Sequence, residues 1–257
     1  MVDSPRVVVT AGASGIGAAI AKSFLTNGAR VHVCDVDDAA IERMGRELPG
    51  VGATRVDVAS ESQVDDWLGR VLGDWGGIDV LVNNAGIAGP TADVEDITVD
   101  EWRRCLAVGL DSQFLTCRQV APVMKQQRSG SIVNISSTAG LVGYGRRSPY
   151  AAAKWAVIGL TKSLAIELGP FGVRVNAVCP GSVSGDRMRR VVADQALASG
   201  REPSEIEAEY TQAQSIGRFV EPAEIADMCV FLASPEARMV SGQAIAVDGH
   251  TETYHLG

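Results

Sequence analysis

Residues 6–28 read RVVVTAGASGIGAAIAKSFLTNG. A compact apolar run, Arg6–Thr10, has strand character and passes directly into a turn with glycines at 12, 15 and 17, followed by a helical pattern to about Gly28. In such a turn the backbone can approach a pyrophosphate closely, while the first N–H groups of the helix and its dipole provide the positive pole. Gly12, Ser14, Gly15, Ile16 and Gly17 are therefore candidate phosphate-binding positions. The other reading is a tight connection and no more; the strand-turn-helix setting favours the phosphate.

Outward from this unit, strands and helices alternate. Arg30–Asp35 reads as a second strand, Thr54–Asp57 as a third, Asp79–Asn83 as a fourth, Ser131–Ile135 as a fifth, Val173–Cys179 as a sixth and Ala244–Asp248 as a last, before a tail ending Tyr254-His255-Leu256-Gly257. Capping-box patterns at Ser60-x-x-Gln63 and Thr98-x-x-Glu101 predict helices reaching about Trp75 and Gln127, and Pro222 sits at the first position of another. The alternation predicts an α/β fold, a single-domain doubly wound (Rossmann) parallel sheet of about seven strands over residues 1–257, with helices on both faces and ligands at the carboxyl ends of the strands. Residues 182–217 are more polar, interrupted by Gly200 and Pro203, and read as a helical lid over a substrate.

Asp35 ends its strand eighteen residues beyond Gly17. An acid there accepts the two hydroxyls of an adenosine ribose and repels a 2′-phosphate, which favours NAD over NADP. The alternative is a carboxylate that only caps the following turn.

Composition narrows the partners. A net charge of −8 disfavours nucleic acid and anionic membranes, and no apolar run approaches the ~20 residues of a membrane span. The start, Met1 to Arg6, leads directly into a strand, so no signal peptide is expected. Five scattered cysteines without C-x-x-C spacing read as reduced thiols of a cytoplasmic protein, with no metal site.

The chemistry is concentrated in residues 131–168, SIVNISSTAGLVGYGRRSPYAAAKWAVIGLTKSLAIEL. Pro149 marks a helix entry, and Tyr150 and Lys154, four apart, share one helical face. A phenol titrating at ~10 is a poor base at neutral pH, but lowering that by ~3 units needs only ~4 kcal/mol, within reach of nearby cations in a dry site. Ser137, at the end of the preceding strand, can hydrogen-bond the same substrate oxygen.

Together, Gly12-x-x-Gly15-x-Gly17, Asn83-Asn84-Ala85-Gly86, Ser137 with Tyr150-x-x-x-Lys154, and Pro180-Gly181 resemble the signature of the short-chain dehydrogenase/reductase family along essentially the whole chain. The resemblance implies catalytic roles for Ser137, Tyr150 and Lys154, with Tyr150 and Lys154 also meeting the cofactor. It implies adenine contacts at Asp57 and Val58, ribose contacts and strand-end ties at Asn84, Ala85 and Gly86, and nicotinamide contacts at Pro180, Gly181 and the backbone of Val183. It also implies a homotetramer packed through residues 98–127 and 149–169. Two positions depart from the pattern. Gly109 stands where relatives carry an Asn of the proton relay, and Gly185 where a cofactor-contacting Thr is common. For Gly109 the readings are an additional water, another polar side chain taking over, or lost turnover with the dinucleotide kept.

The implied reaction is reversible hydride transfer between NAD(H) and a secondary alcohol or ketone, with a small-molecule substrate. Arg146, Arg147 and Arg187, with Arg189 and Arg190, could recognise a carboxylate, phosphate or sulfonate, or could pair with Asp186, Asp194 or Glu202. A sugar or hydroxy acid ranks ahead of a 3-oxoacyl thioester, because Gln127 and Phe171 stand where carrier-binding cations are expected. A non-catalytic NAD-binding sensor or assembly partner is the reading of another class, and Gly109 is its main support.

Overall fold

The computed structural model describes residues 4–251. The tail Tyr254–Gly257 and the residues before Ser4 lie outside the described residues.

Seven strands form one sheet: β1 (Arg6–Thr10), β2 (Arg30–Asp35), β3 (Val51–Arg55), β4 (Val80–Asn83), β5 (Gly130–Ile135), β6 (Val173–Pro180) and β7 (Ala244–Val247). Their order is β3-β2-β1-β4-β5-β6-β7, and every pairing is parallel. The order reverses between β1 and β4, which opens a crevice at the carboxyl ends of those strands. This is the doubly wound sheet expected from the sequence.

Alternation along each strand divides the core. Val7, Val9, Val31, Val33, Val80 and Val82 face one side, where helices α1 (Gly15–Thr26), α2 (Asp38–Glu47) and α9 (Pro222–Ala233) cover them. Val8, Leu81, Ile132 and Val175 face the other, against α3 (Glu61–Trp75), α5 (Ser112–Gln127) and the end of α6 (Ser148–Leu168). Each fully buried side chain of this size stabilises by roughly 1.5–3 kcal/mol relative to exposure. Near-continuous apolar strands are what a sheet covered on both faces requires.

Buried polar groups tie the middle of the sheet to α5 and α6. Asn83 Nδ2 donates to Asn134 Oδ1 at 2.9 Å, Thr116 Oγ1 donates to Asn83 Oδ1 at 2.6 Å, and Asn134 Nδ2 donates to Thr161 Oγ1 at 2.9 Å. Asn83, Thr116, Asn134 and Thr161 are all buried, so each amide and hydroxyl must find its partner inside the protein.

Three local expectations change. β3 is displaced toward the N-terminus: Val51 to Arg55 run in register with Val31 to Asp35, and the ladder closes with Val56 N–H on Asp35 O, leaving Asp57 beyond it. The box at Ser60 does not form, because Gln63 Oε1 accepts instead from the Asp57 N–H at 2.9 Å. The box at Thr98 does form and opens α4 (Val99–Leu106). The long helical segment that follows is continuous but broken in regularity by a π-helical turn, Ala107–Asp111, centred on Gly109. Residues 182–217 contain α7 (Asp186–Ser199) and α8 (Pro203–Gln212), which share a small apolar cluster of Val192, Ala196, Ile206 and Tyr210. Among the described residues no helix is long and apolar enough to cross a membrane.

Candidate active site

The Gly-rich turn lies at the carboxyl end of β1, beside the order reversal. Gly15 has φ of +52°, a conformation L side chains rarely adopt, and begins α1. At Gly17 a Cβ would fall 2.1 Å from Ala11 O and 2.7 Å from Asn84 Nδ2. The helix start is thus pressed against the β1 turn. Neighbouring strand ends lock this shape. Asn84 Nδ2 donates to Thr10 O at 3.1 Å and Ala11 O at 2.9 Å, while Thr10 Oγ1 accepts from the N–H groups of Asn84 and Ala85. The amide N–H groups of Asn84 are therefore spent on the strand-end tie, and Thr10, the last residue of its strand, is a supporting residue the sequence reading did not single out.

Asp35 does two things at once. Its Oδ1 accepts from the N–H groups of Val36 and Asp37, as a turn cap would, and its Oδ2 accepts from Ala13 N–H at 3.1 Å. These use three of the about four acceptor positions of a carboxylate and bind the second strand to the Gly-rich turn. Asp57 stands just after β3, accepting from Ala59 N–H and pairing with Arg104 at 3.3 Å, and the Val58 side chain is buried in the core. Any contact of Val58 with a ligand is therefore through its backbone.

At the far side of the crevice Pro180 ends β6, and Gly181 N–H donates to Val247 O. Val183 forms an isolated parallel bridge with Val220, made by the peptide groups of its neighbours: Ser184 N–H donates to Val220 O and Val220 N–H to Ser182 O. In that pattern the N–H and C=O of Val183 itself point the opposite way.

Between these walls sits the candidate chemical group. Ser137 follows β5, Tyr150 lies in the first turn of α6, and Lys154 lies one turn further on. Lys154 is 3% exposed and its Nζ donates to Ile135 O at 2.9 Å. The same Nζ is 5.8 Å from the centre of the Tyr150 ring. Ser137 Oγ accepts from Ala139 N–H at 3.1 Å, which leaves its proton for the Tyr150 oxygen, to which it hydrogen-bonds. Gly86 lies against the ammonium: a Cβ there would be 3.3 Å from Nζ.

Electrostatics follow from this packing. Burial is the largest influence on the Tyr150 phenol and pushes its pKa up, but Arg187, Lys154, the Ser137 hydrogen bond and Arg147 together carry it below the ordinary tyrosine value. Burial likewise pulls Lys154 below the usual lysine value, against the opposing influence of Tyr150.

Of the three candidate substrate arginines, two approach Tyr150. The Arg147 guanidinium carbon is 5.5 Å from the ring centre and that of Arg187 5.7 Å. Arg147 is 3% exposed; it donates to Ala88 O at 2.9 Å and Thr91 Oγ1 at 3.3 Å, and its buried Nε has no partner among the described residues. Arg187 reaches Gly86 O at 3.4 Å. Arg146 is a correction: its backbone has φ of +59° and its exposed side chain pairs with Asp93 at 3.2 Å, away from this group. Pairing with Asp186 holds for Arg189 alone among the five. Gln127 and Phe171 do stand without a charge of their own, but Lys125 and Arg128 stack on Phe171 at 5.0 and 5.6 Å. Gln127 itself is half-buried and bonded to Arg6 and to both the N–H and the C=O of Ile78.

Comparison with known proteins agrees with this geometry. Residues 10–250 match the family model described as enoyl-(acyl carrier protein) reductase. Cis-4-hydroxycyclohexanecarboxylate dehydrogenase of Sinomonas cyclohexanicum is 39% identical, over 94% of each chain. D-β-hydroxybutyrate dehydrogenase of Cupriavidus necator is 36% identical, over 97% of this chain and 98% of its own. Among solved structures, an actinorhodin polyketide ketoreductase with NADPH superposes with a TM-score of 0.92 at 34% identity, over 96% of this chain and 97% of its own. These similarities extend over nearly the entire chain and include the sheet, the Gly-rich turn and the Tyr150 helix alike. The chain is an oxidoreductase that belongs to the short-chain dehydrogenase/reductase family.

Proposed function

We propose that this protein is an NAD(H)-dependent dehydrogenase of a secondary alcohol that carries an anionic group, a hydroxy acid above all. One observation carries the reading: a phenol held between Ser137 and Lys154 is flanked by two guanidinium groups, Arg147 and Arg187, that have no carboxylate partner among the described residues. A buried Arg147 with an unpartnered Nε costs stability unless a ligand supplies the acceptor. Two of the relatives above are named for hydroxy-acid substrates.

The crevice fits a dinucleotide. Helix α1 begins with side-chain-free Gly15 and Gly17, and nothing lies within 4 Å of where a Gly15 Cβ would be. Gly12, Ser14, Gly15, Ile16 and Gly17 hold the pyrophosphate, Asp35 the adenosine ribose, and Asp57 with the Val58 backbone the adenine. Asn84, Ala85, Gly86, Pro180, Gly181 and the outward peptide of Val183 line the nicotinamide half. Asp35 favours NAD, because its carboxylate repels a 2′-phosphate. When bound, the nicotinamide accepts or supplies hydride.

In oxidation, the Tyr150 phenolate takes the proton of the substrate hydroxyl, Ser137 orients the oxygen, and Lys154 keeps the phenolate charged. Arg147 and Arg187 hold the anionic substituent, and α7 and α8 form a lid within a single domain covering the chain. Two further properties belong to the same reading. Exposed Phe114, Trp155 and Ile166 on α5 and α6 support self-association as a tetramer, and five buried thiols support a reducing, cytoplasmic setting. Reduction of a 3-oxoacyl thioester on an acidic carrier is the second reading, favoured by the Lys125 and Arg128 cations on Phe171.

The test is absorbance at 340 nm with NAD or NADP against matched hydroxy acids, their methyl esters, sugars and simple alcohols. Turnover of acids well above esters supports the reading. Equal rates for acid and ester remove the anion from it, and nucleotide binding without turnover across the panel removes the enzyme reading.

A further inference from the structure

Behind Lys154 lies a buried amide that nothing above uses. Gln113, in the first turn of α5, is 1% exposed. Its Nε2 donates at 3.4 Å to Gly109 O, one turn back, and at 3.4 Å to Ile135 O. Ile135 O is also the acceptor for Lys154 Nζ. One strand-end carbonyl is therefore shared by the amide and the ammonium, and the two side chains meet on it from opposite helices.

Their remaining groups are complementary. Gln113 Oε1 is buried and has no partner among the described residues. An ammonium has three donors, and among the described residues Lys154 places one of them, on Ile135 O. An acceptor without a partner among the described residues thus belongs to a side chain that shares one carbonyl with an ammonium that has donors to spare. Buried polar atoms in native proteins are satisfied, and ordered water does so where protein cannot.

Gly109 makes the arrangement possible. A Cβ at that position would be 3.2 Å from Ala153 Cβ, so the π-helical turn packs against α6 more closely than a side chain at 109 would allow without a shift. The polar group that faces Lys154 from this side arrives instead from Gln113, four residues on.

We propose that Gln113 is a positioning residue for Lys154: its amide oxygen holds an internal water whose own oxygen accepts from the Lys154 ammonium. The water keeps the ammonium charged and in place, and through it the phenolate form of Tyr150. This rests on the proton role proposed above for Tyr150 and Lys154. The charged or titratable groups around the pair are Arg147, Arg187 on α7, Cys105 on α4 and Cys179 on β6, and none of them is itself substituted when Gln113 is changed.

The experiment compares the unaltered protein with Gln113→Leu and Gln113→Met, two apolar replacements of similar size. Tyr150 ionisation is read from phenolate absorbance in a pH titration with NAD bound, using Tyr150→Phe to subtract the other tyrosines. The expected result is a Tyr150 pKa raised by about one unit, a tenfold change in the ionisation constant, with kcat lowered below that pKa and KM little altered. An unmoved titration with an unmoved pH profile overturns the proposal. Where neither variant folds, high-resolution density of the unaltered protein decides it: water between Gln113 Oε1 and Lys154 Nζ supports it, and its absence there overturns it. If Tyr150→Phe keeps its turnover, the proton role itself falls. If Tyr150→Phe is inactive while Gln113 variants titrate normally, only this inference falls.

Discussion

Lys154 and Tyr150 stand one helical turn apart on α6, and the lysine Nζ lies 5.8 Å from the centre of the tyrosine ring while anchored to Ile135 O. The anchor fixes the cation independently of any ligand, so removing the phenol alone leaves the cation in place. Tyr150→Phe is expected to lower kcat by about 10²–10⁴-fold with the NAD dissociation constant within a few-fold of the original. Steady-state kinetics beside calorimetric NAD titration checks this, and retained turnover removes Tyr150 from proton transfer.

Arg187 is the strongest of the attractive influences that lower the Tyr150 pKa. In the proposed mechanism the base works as phenolate, so oxidation should be lost as pH falls through the Tyr150 pKa and be full above it. Arg187→Ala raises that pKa, and the acid limb of kcat/KM for oxidation should move to higher pH. Rates measured across pH with one good substrate check the sign; a shift to lower pH contradicts it.

Neighbouring arginines should behave differently. Arg147 is buried against Tyr150, whereas Arg146 pairs with Asp93 outside the group. Arg147→Met is expected to raise KM for a hydroxy acid by at least about tenfold, the loss of one charge-assisted contact. Arg146→Met should leave KM within twofold. Equal effects from both would contradict the assignment.

Asp35 joins the proposed cofactor choice to the shape of the turn, because the carboxylate proposed to repel a 2′-phosphate also accepts from Ala13 N–H. Asp35→Ser should erode the NAD-to-NADP ratio of kcat/KM by about tenfold or more, and should also weaken NAD itself. An unchanged ratio would count against the ribose contact.

The Asn83–Asn134 pair predicts a stability effect away from the chemistry. Asn134→Ala leaves Asn83 Nδ2 with only the Cys117 sulfur at 3.4 Å, and removes the Asn134 donor to Thr161. A loss of about 1–3 kcal/mol is expected in urea unfolding, with NAD affinity of the folded fraction unchanged.

Much of this architecture was legible because it is written in periodicity and in glycine. Val7, Val8 and Val9 announce a strand covered on both faces, and Gly12, Gly15 and Gly17 announce the turn. What sequence does not display is competition for a partner. Gln63 had the Ser60 backbone and the Asp57 N–H within reach and took the latter. Arg146 and Arg147 are adjacent and chemically identical, and only the positive φ at Arg146 separates the one that faces Asp93 from the one that is buried. Gln113 gave no local signal, since its significance depends on a carbonyl of β5 that is far away in the chain.

The tie from Asn84 to the carbonyls of Thr10 and Ala11 has a consequence for the nascent polypeptide. The glycine turn leaves the ribosome well before its clamp, which arrives only after β4 has been translated and paired with β1. A truncated product ending before Asp79 has every turn residue and lacks what sets their shape, so the cell should gain nucleotide affinity in one late step rather than gradually.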